Sequence, residues 1–319
     1  MGQHKAITFD DVSLVPGYSD SERDEIDITS FLLWRLMKVP IISTPMDTIT
    51  GIKMVSAMYS YGTLGIHHRY LKPENIIQTF EAALLRGGIA VSPSMGLAFI
   101  EKLFPPPSPW NVAPLFCMDV AHGHTKRNLH FCAELVKMGA DVISGNIVTP
   151  YAAEAYLKIG VKALRVGIGA GSVCTTRMVT GVGVPQLAAI RDIYEACPEA
   201  IIISDGGHRT TGDIVKALAF GANFVMLGGM LAGTDEAEGG THFRGMASAG
   251  ALSQRKKEYF VEGIGKDVEP KGSVVKVLDE IKQAIETACY YLGVRNLSEL
   301  SEVDYIEVTH NGYLEGLAR

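Results

Sequence analysis

The sequence predicts a single α/β domain, a (β/α)8 TIM barrel, from its length, its composition and a repeating pattern of apolar runs. The chain has 319 residues, 47% hydrophobic and 20% charged, which is enough to bury one large core. Eight short apolar runs follow one another, mostly at intervals of roughly 25 residues, the length of a strand, a loop, a helix and a second loop. The runs are residues 39–42, 62–66, 88–91, 113–119, 140–144, 162–166, 200–204 and 222–227.

Amphipathic helical patterns fill most of the intervals between these runs. Strands that alternate with helices require a parallel sheet covered by helices, and closure into a barrel is the economical arrangement. We therefore expect residues 1–319 to form one domain with a last helix at 274–293. The other predicted helices are residues 52–62, 74–88, 125–139, 186–197 and 211–221.

Composition narrows the classes of partner. The net charge is −6 and basic residues are scattered, so we expect no nucleic-acid or membrane surface. The five cysteines form no CxxC pair and the histidines show no zinc-ligand spacing, which favours reduced thiols in a cytoplasmic protein. No apolar signal core and no membrane-length apolar run is present, and we expect small-molecule ligands.

Glycine pairs after the last two predicted strands indicate a phosphate site. In such barrels the loops after strands seven and eight commonly hold phosphate, and here they read SDGG (204–207) and LGGM (227–230). Glycine lets backbone N–H groups approach an anion closely. The candidates are Gly206, Gly207, Gly228 and Gly229, although these glycines could simply form tight turns.

A long glycine-rich loop, residues 166–186, follows the sixth predicted strand and carries Cys174 at its centre. Long loops in compact domains tend to be functional. Cys174, with Thr175 and Thr176 beside it, is a candidate nucleophile, while a buried inert thiol is the alternative. Residues 231–276 combine many glycines and charges with weak periodicity, which predicts a mobile flap after strand eight.

Two aspartates fall at predicted carboxyl ends of strands. Asp47 follows strand one and Asp119 ends strand four, so either could orient a substrate or relay protons. Asp119 could instead cap a helix. Residues 67–69 (HHR) and 122–124 (HGH) add imidazoles on the same face but supply no complete metal-ligand set.

Together these segments resemble the IMP dehydrogenase/GMP reductase family over nearly the whole chain. The strongest match is the loop GIGAGSVCTTRMVTGVGVPQ (167–186), which is similar to that family's active-site loop. The supporting matches include FDDVSLVP, PIISTPMDT, MDVAHGH, SGNIVT, SDGGHRTTGDIVKAL, FVMLGGMLAGT and FRGMASAGA.

The resemblance implies a catalytic barrel that acts on a purine nucleoside monophosphate with a nicotinamide cofactor, as a cytoplasmic homotetramer. It makes Cys174 the nucleophile at purine carbon 2 and gives Thr176 and Glu262 the proton transfer. The implied substrate-binding residues are Ser172, Asp205, Gly206, Gly207, Gly228, Gly229, Gly245 and Met246. The implied cofactor-binding residues are Ser92, Asp119 and Asn146, and the implied potassium ligands are the carbonyl groups of Gly169, Gly171 and Cys174.

Within the family, the flap favours GMP reductase with NADPH. Dehydrogenase flaps carry an Arg-Tyr dyad, whereas here Glu258 precedes Tyr259, and Arg255 is a candidate replacement for the arginine. Only 15 residues separate Met246 from Glu262, and the LGGM motif also resembles reductases. The regulatory insertion of most dehydrogenases is absent, since 18 residues lie between Tyr70 and Ile89.

Other motifs, FDDVSLVP, AHGH, TGVGVPQ and LAGTDEAEGG, resemble dehydrogenases, so an IMP dehydrogenase that uses NAD is the alternative. His68 stands where reductases often carry lysine. A nucleotide sensor without activity and a flavin enzyme on the same barrel are further hypotheses, and the Cys174, Thr176 and Glu262 set argues against the sensor.

Overall fold

Eight parallel strands close into a barrel in the computed structural model, which describes residues 6–71, 76–103 and 113–317. The strands are β1 (Val12–Leu14), β2 (Ser30–Leu32), β3 (Arg35–Met37), β4 (Ile41–Ser43), β5 (Leu64–His67), β6 (Gly88–Val91), β7 (Leu115–Met118), β8 (Asp141–Ile147), β9 (Ala163–Val166), β10 (Ile201–Asp205), β11 (Phe224–Leu227), β12 (His242–Arg244), β13 (Gly265–Asp267) and β14 (Tyr305–Glu307). The barrel runs from β4 to β11, and the pairing of Val225 with Ile41 closes it.

Helices cover the outside of this barrel and also occur in the loops at its carboxyl face. They are α1 (Ile52–Tyr61), α2 (Ile76–Arg86), α3 (Leu97–Leu103), α4 (Lys126–Lys137), α5 (Pro150–Leu157), α6 (Thr176–Thr180), α7 (Gln186–Ala196), α8 (Thr211–Ala219), α9 (Ala249–Gln254), α10 (Val274–Leu292) and α11 (His310–Glu315). Outside the barrel, β1 pairs with β14, β2 with β3, and β12 with β13, each antiparallel. Within the described ranges, no helix combines the length and apolar character needed to cross a membrane.

The predicted barrel is confirmed, and each of the eight apolar runs overlaps a barrel strand. The run 62–66 begins too early, because Gly62 ends helix α1 in a left-handed conformation (φ +92°) and the strand starts at Leu64. The run 140–144 ends too early, because β8 continues past an irregular pairing at Gly145 to Ile147. Both differences are local turn effects that apolar patterning does not reveal.

Two apolar layers form the core, one inside the barrel and one between the barrel and its helices. Successive side chains of a strand point to opposite sides, so Ile203 joins the interior cluster while Ile202 joins the helix-facing cluster. Leu32 and Met37 of the β2–β3 hairpin also join the interior cluster. Burial on both sides explains why the barrel strands appear in the sequence as continuous apolar runs.

Threonines cap several barrel helices and fix where each βα loop ends. Thr125, Thr149 and Thr210 each accept a hydrogen bond from a backbone N–H three residues further on, at the start of α4, α5 and α8. Such capping satisfies N–H groups that a helix leaves without an internal partner. The loops that lead into these three helices are therefore anchored where each helix begins.

A buried polar cluster lies behind the loop after β10. His208 Nε2 is 2.9 Å from Ser204 Oγ, and Gln186 Nε2 donates to the same oxygen over 3.0 Å. All three side chains are buried. Burial lowers the pKa of His208 to about 4, so its imidazole is neutral at neutral pH.

The barrel interior should be sensitive to loss of volume. Phe224 is fully buried there, and we expect Phe224→Ala to lower the free energy of unfolding by about 3–5 kcal/mol. Phe31, 62% exposed, provides the control, and Phe31→Ala should change it by less than about 0.5 kcal/mol. Urea titrations of both variants measure the difference, and equal effects would contradict this description of the core.

His208 should make the fold less stable in mild acid. Between the ordinary histidine pKa of 6.5 and its folded value of about 4, the unfolded chain binds a proton that the folded protein excludes. Stability contributed by neutral His208 is therefore complete above pH 6.5 and falls as the pH drops, by up to about 1.4 kcal/mol per pH unit.

The check is urea unfolding of wild type and His208→Gln at several pH values from 7 to 4. The variant should lose less stability with falling pH than wild type, while His310→Gln, at an exposed position, should follow wild type. Parallel curves for wild type and His208→Gln would show that His208 titrates normally.

Candidate active site

Cys174, Thr176 and Glu262 form a continuous chain of contacts at the carboxyl face of the barrel. Cys174 Sγ lies 3.1 Å from Thr176 Oγ1, which donates to Glu262 Oε2 over 2.7 Å. Cys174 is half-buried, whereas the other four cysteines are buried. The arrangement can carry a proton between a carboxylate and a group bound near the thiol.

Main-chain pairing holds Glu262 beside the cysteine. Cys174 and Gly263 form an antiparallel bridge, and the N–H of Thr175 donates to the Glu262 carbonyl over 2.9 Å. On its other edge the same segment pairs with residues 245–248, where the N–H of Glu262 donates to the Ala247 carbonyl over 3.0 Å. The flap carboxylate therefore enters the site on a short strand held from both sides.

Two glycines make this packing possible. A Cβ atom on Gly245 would come within 2.9 Å of the Val173 carbonyl oxygen, and one on Gly263 within 3.0 Å of the same atom. Neither separation leaves room for a side chain without moving the backbone. Gly245 thus has a structural reason to be glycine besides the substrate contact predicted for it.

The predicted phosphate-binding loops converge. Gly206 and Gly207 have φ angles of +99° and +89°, which side chains rarely adopt. A Cβ on Gly206 would lie 3.2 Å from the backbone nitrogen of Gly171, and one on Gly229 would lie 3.1 Å from Ser172 Oγ. The loops after β9, β10 and β11 therefore meet at one place, where backbone N–H groups and a hydroxyl can surround an anion.

The loop after β4 borders this place. A Cβ on Gly228 would lie 3.1 Å from Thr44 Cγ2 and 3.2 Å from Met46 Sδ. Met246, another predicted substrate-binding residue, lies in the segment 245–248 just before helix α9, and its carbonyl accepts a hydrogen bond from Arg255. Gly228 and Met246 thus both lie in segments at the rim of the site.

Asp205 ends β10 and is held by a buried arginine. Its Oδ2 accepts from Arg165 Nη2 over 2.6 Å and from Asn146 Nδ2 over 2.8 Å. Arg165, 6% exposed, also donates to the Met118 carbonyl. Burial alone would lower the pKa of Arg165, but the Asp205 carboxylate outweighs burial and raises it, so the guanidinium group stays charged.

Sequence reasoning missed Arg165, although a signal was present. It is the charged residue in the otherwise apolar strand β9, and a charge in a strand buried on both sides requires a partner. The partner is a predicted substrate-binding residue, Asp205. The predicted cofactor residue Asn146 contacts the same carboxylate and so joins the two predicted subsites.

The other predicted cofactor residues lie on neighbouring strand ends. Asp119 accepts a hydrogen bond from Arg69 Nε over 2.8 Å, and its backbone N–H donates to the carbonyl of Val91, next to Ser92. Ser92 Oγ is 2.7 Å from Ser94 Oγ. The alternative in which Asp119 caps a helix is wrong, because Thr125 caps α4.

Asp47 is bound by two arginines of the flap. Its Oδ2 accepts from Arg255 Nη2 over 2.6 Å and from Arg244 Nη2 over 2.9 Å. Burial alone would raise the pKa of Asp47, but the hydrogen bonds and charge of Arg255 and then Arg244 outweigh burial and lower it. Asp47 is therefore an ionised anchor for the flap.

The two histidines at the end of β5, His67 and His68, are buried, and burial lowers the pKa of each. Burial, with repulsion from His67, lowers the pKa of His68 to about 4. His68 Nδ1 accepts from the backbone N–H of Tyr70 over 3.2 Å. His68 thus supplies no positive charge at neutral pH where reductases often carry a lysine.

Metal ligation by side chains finds no support in the described part of the chain, where no group of three or more His, Cys, Asp and Glu residues could hold an ion. The predicted potassium ligands are backbone carbonyl groups of one turn. In that turn the N–H of Cys174 donates to the Gly171 carbonyl over 3.0 Å, and Gly169 has φ +77°. A carbonyl oxygen has a second lone pair for a cation, so the turn is compatible with the predicted ion.

The sequence model of a protein family, the IMP dehydrogenase / GMP reductase domain, matches residues 6–83 and 111–318 of this chain. An inosine-5′-monophosphate dehydrogenase from Cryptosporidium parvum is 32% identical over 380 residues, covering 98% of this chain and 94% of the relative. GMP reductases from Lysinibacillus sphaericus and Bacillus licheniformis are 34% and 33% identical, each covering 95% of this chain and 96% of the relative. With this match over most of its length, the chain belongs to the IMP dehydrogenase/GMP reductase family of purine-nucleotide oxidoreductases.

Proposed function

We propose that the protein is a GMP reductase, which uses NADPH to convert GMP to IMP and ammonia through a covalent bond at Cys174. The observation that carries the proposal is the contact chain from Cys174 through Thr176 to Glu262, combined with an Arg255 that is already bound by Asp47. The first feature supports the covalent chemistry of the family. The second argues against the water activation that a dehydrogenase needs.

The convergent loops would bind the nucleotide. The backbone N–H groups near Gly206, Gly207 and Gly229, with the Ser172 hydroxyl, suit the 5′-phosphate. Asp205, held in place by Arg165 and Asn146, suits a ribose hydroxyl because its second carboxylate oxygen is left to accept. These contacts would hold purine carbon 2 against Cys174.

The deamination would use the contact chain directly. The Cys174 thiolate adds to carbon 2 of GMP, and the C–N bond to the exocyclic amino group breaks. Thr176 passes a proton from Glu262 to that amino group, so that it leaves as ammonia. The purine then remains attached to Cys174 through a C–S bond.

Reduction would complete the cycle. NADPH supplies a hydride to carbon 2 when it is bound, and the Cys174 thiolate is released from the resulting IMP. Ser92, Asp119 and Asn146 are the residues that would border the nicotinamide. The Ser92 hydroxyl can donate or accept a hydrogen bond, and the Asp119 carboxylate can accept one. Both groups suit the carboxamide of the nicotinamide.

The flap separates this proposal from its alternative. A dehydrogenase must activate water to hydrolyse the covalent intermediate, and in the family an Arg-Tyr dyad does so. Here Glu258 replaces that arginine and Tyr259 is 69% exposed. Arg255, the other candidate, is already engaged, because its two terminal nitrogens donate to the Asp47 carboxylate and to the Met246 carbonyl.

The alignment lengths fit a chain without the regulatory insertion. The two reductases align with the chain over 326 and 323 residues, whereas the Cryptosporidium parvum dehydrogenase aligns over 380. The alternative, an NAD-dependent IMP dehydrogenase, would require Arg255 to leave Asp47 during turnover. The proposal takes residues 1–319 as one catalytic domain, active in the cytoplasm as a homotetramer, with potassium at the Gly169, Gly171 and Cys174 carbonyls.

Two parallel assays should identify the reaction. With potassium present, GMP plus NADPH should give loss of nicotinamide absorbance and release of ammonia, while IMP plus NAD should give no NADH. NADH formation only in the second mixture would make the protein a dehydrogenase, with Arg255 as the first residue to test.

Substitutions in the contact chain should separate binding from chemistry. Cys174→Ala should abolish turnover and keep the affinity for GMP, measured by calorimetry, since the phosphate contacts are unaltered. Glu262→Gln should lower kcat by roughly 10²–10⁴-fold, because a general acid is lost.

Glu258→Gln is the matched control, because it removes an exposed carboxylate of the same flap and should leave kcat unchanged. Retained turnover in Cys174→Ala would exclude the covalent route. Equal effects of the Glu262 and Glu258 variants would exclude Glu262 as the proton source.

A further inference from the structure

We propose that Arg255 and Tyr70 form a clamp that positions the flap, and with it Glu262, over Cys174. Arg255 is a positioning residue in this proposal, because it acts on the reaction through the segments that hold Glu262. The proposal rests on the chemistry of the proposed function at Cys174, whereas the position of the flap in the free enzyme does not depend on which purine is converted.

Arg255 joins the end of helix α9 to the barrel. It is the C-cap residue of α9, and its side chain is 13% exposed. One end of its guanidinium group donates to Asp47, in the loop after β4, over 2.6 Å. The other nitrogen, Nη1, donates to the Met246 carbonyl over 2.7 Å. A planar group with fixed donors can thus hold two backbone segments in one geometry.

The contact with Met246 bears directly on Glu262. Met246 is followed by Ala247, whose carbonyl accepts the N–H of Glu262. Arg255 therefore fixes the strip of backbone against which the catalytic carboxylate is aligned. Residues 256–261, between Arg255 and Glu262, are exposed and form the tip of the flap. The clamp at Arg255 attaches the flap on one side of this tip, and the paired segment at Glu262 attaches it on the other.

Tyr70 extends the clamp to the cofactor side. The Arg255 guanidinium carbon lies 3.5 Å from the centre of the Tyr70 ring, and that of Arg69 lies 4.4 Å from it. Arg69 in turn donates to Asp119. Cations over an aromatic face attract it, more strongly where water is excluded. The contacts thus run without interruption from the flap to the residue predicted to border the nicotinamide.

The reactivity of Cys174 provides a direct readout of the clamp. The other four cysteines are buried, so iodoacetamide should label Cys174 selectively, and mass spectrometry of the peptide measures its rate. If the clamp seats the flap, Arg255→Gln and Tyr70→Leu should each raise the rate several-fold. The Tyr70 substitution is informative because it changes no charge near the thiol.

Matched variants distinguish the clamp from general destabilisation. Tyr70→Phe keeps the ring, so its labelling rate should stay closer to wild type than that of Tyr70→Leu. Arg255→Lys keeps the charge but loses the planar, two-pronged donor group, so its labelling rate should fall between those of wild type and Arg255→Gln. Arg295→Gln removes an exposed ion pair with Asp20 and should label at the wild-type rate. Thermal unfolding midpoints of all variants should be recorded alongside.

Kinetics complete the test. Loss of the clamp should lower kcat for the proposed reduction more than it raises the KM for GMP, because the phosphate loops are not altered. Wild-type labelling rates in both Arg255→Gln and Tyr70→Leu would overturn the proposal, as would equal rates in Tyr70→Leu and Tyr70→Phe. If labelling changes as expected but wild type does not reduce GMP, the clamp stands and the proposed function fails.

Discussion

Closure of the parallel sheet is the constraint on which the rest of this structure depends. Because all eight strands run in one direction, their carboxyl ends lie on one face, and the loops that follow them are brought together there. The loop that carries Cys174, the turn at Gly206 and the loop at Gly229 follow three different strands but meet as a consequence. Closure also buries both sides of every strand, which leaves the loops as the place where polar chemistry can occur.

Charge at this face is largely neutralised within the protein. Asp47, Asp119 and Asp205 each accept hydrogen bonds from arginines, and none of them is an isolated carboxylate. Such pairs orient side chains firmly, because breaking one would leave a charge with little solvent around it. Glu262 differs, since the partner of its side chain is the Thr176 hydroxyl. A carboxylate bonded to a hydroxyl can exchange a proton, which an arginine-bound carboxylate does poorly.

The sequence predicted the barrel strands well because a strand buried on both sides is a continuous apolar run, as in GIAV of β6. It predicted the approximate places of Cys174 and Gly206 because loop position follows from strand position. It did not predict the partners of Asp47 and Asp119, since those depend on arginines 50 to 208 residues away, and periodicity carries no information about such pairs. The role of Glu262 came from the family resemblance, because nothing in the apolar pattern of the flap marks this carboxylate.

The close approach of Gly245 and Gly263 to the Val173 carbonyl divides the flap into fixed ends and a free middle. Both ends must match the cysteine loop in backbone shape, whereas the exposed residues 256–261 face solvent. Evolution can therefore lengthen, shorten or exchange the middle while the ends keep the carboxylate in register with the thiol. A family that performs two different reactions on one barrel can diverge by this route, because the flap tip can change in length and sequence without moving the residues at the thiol.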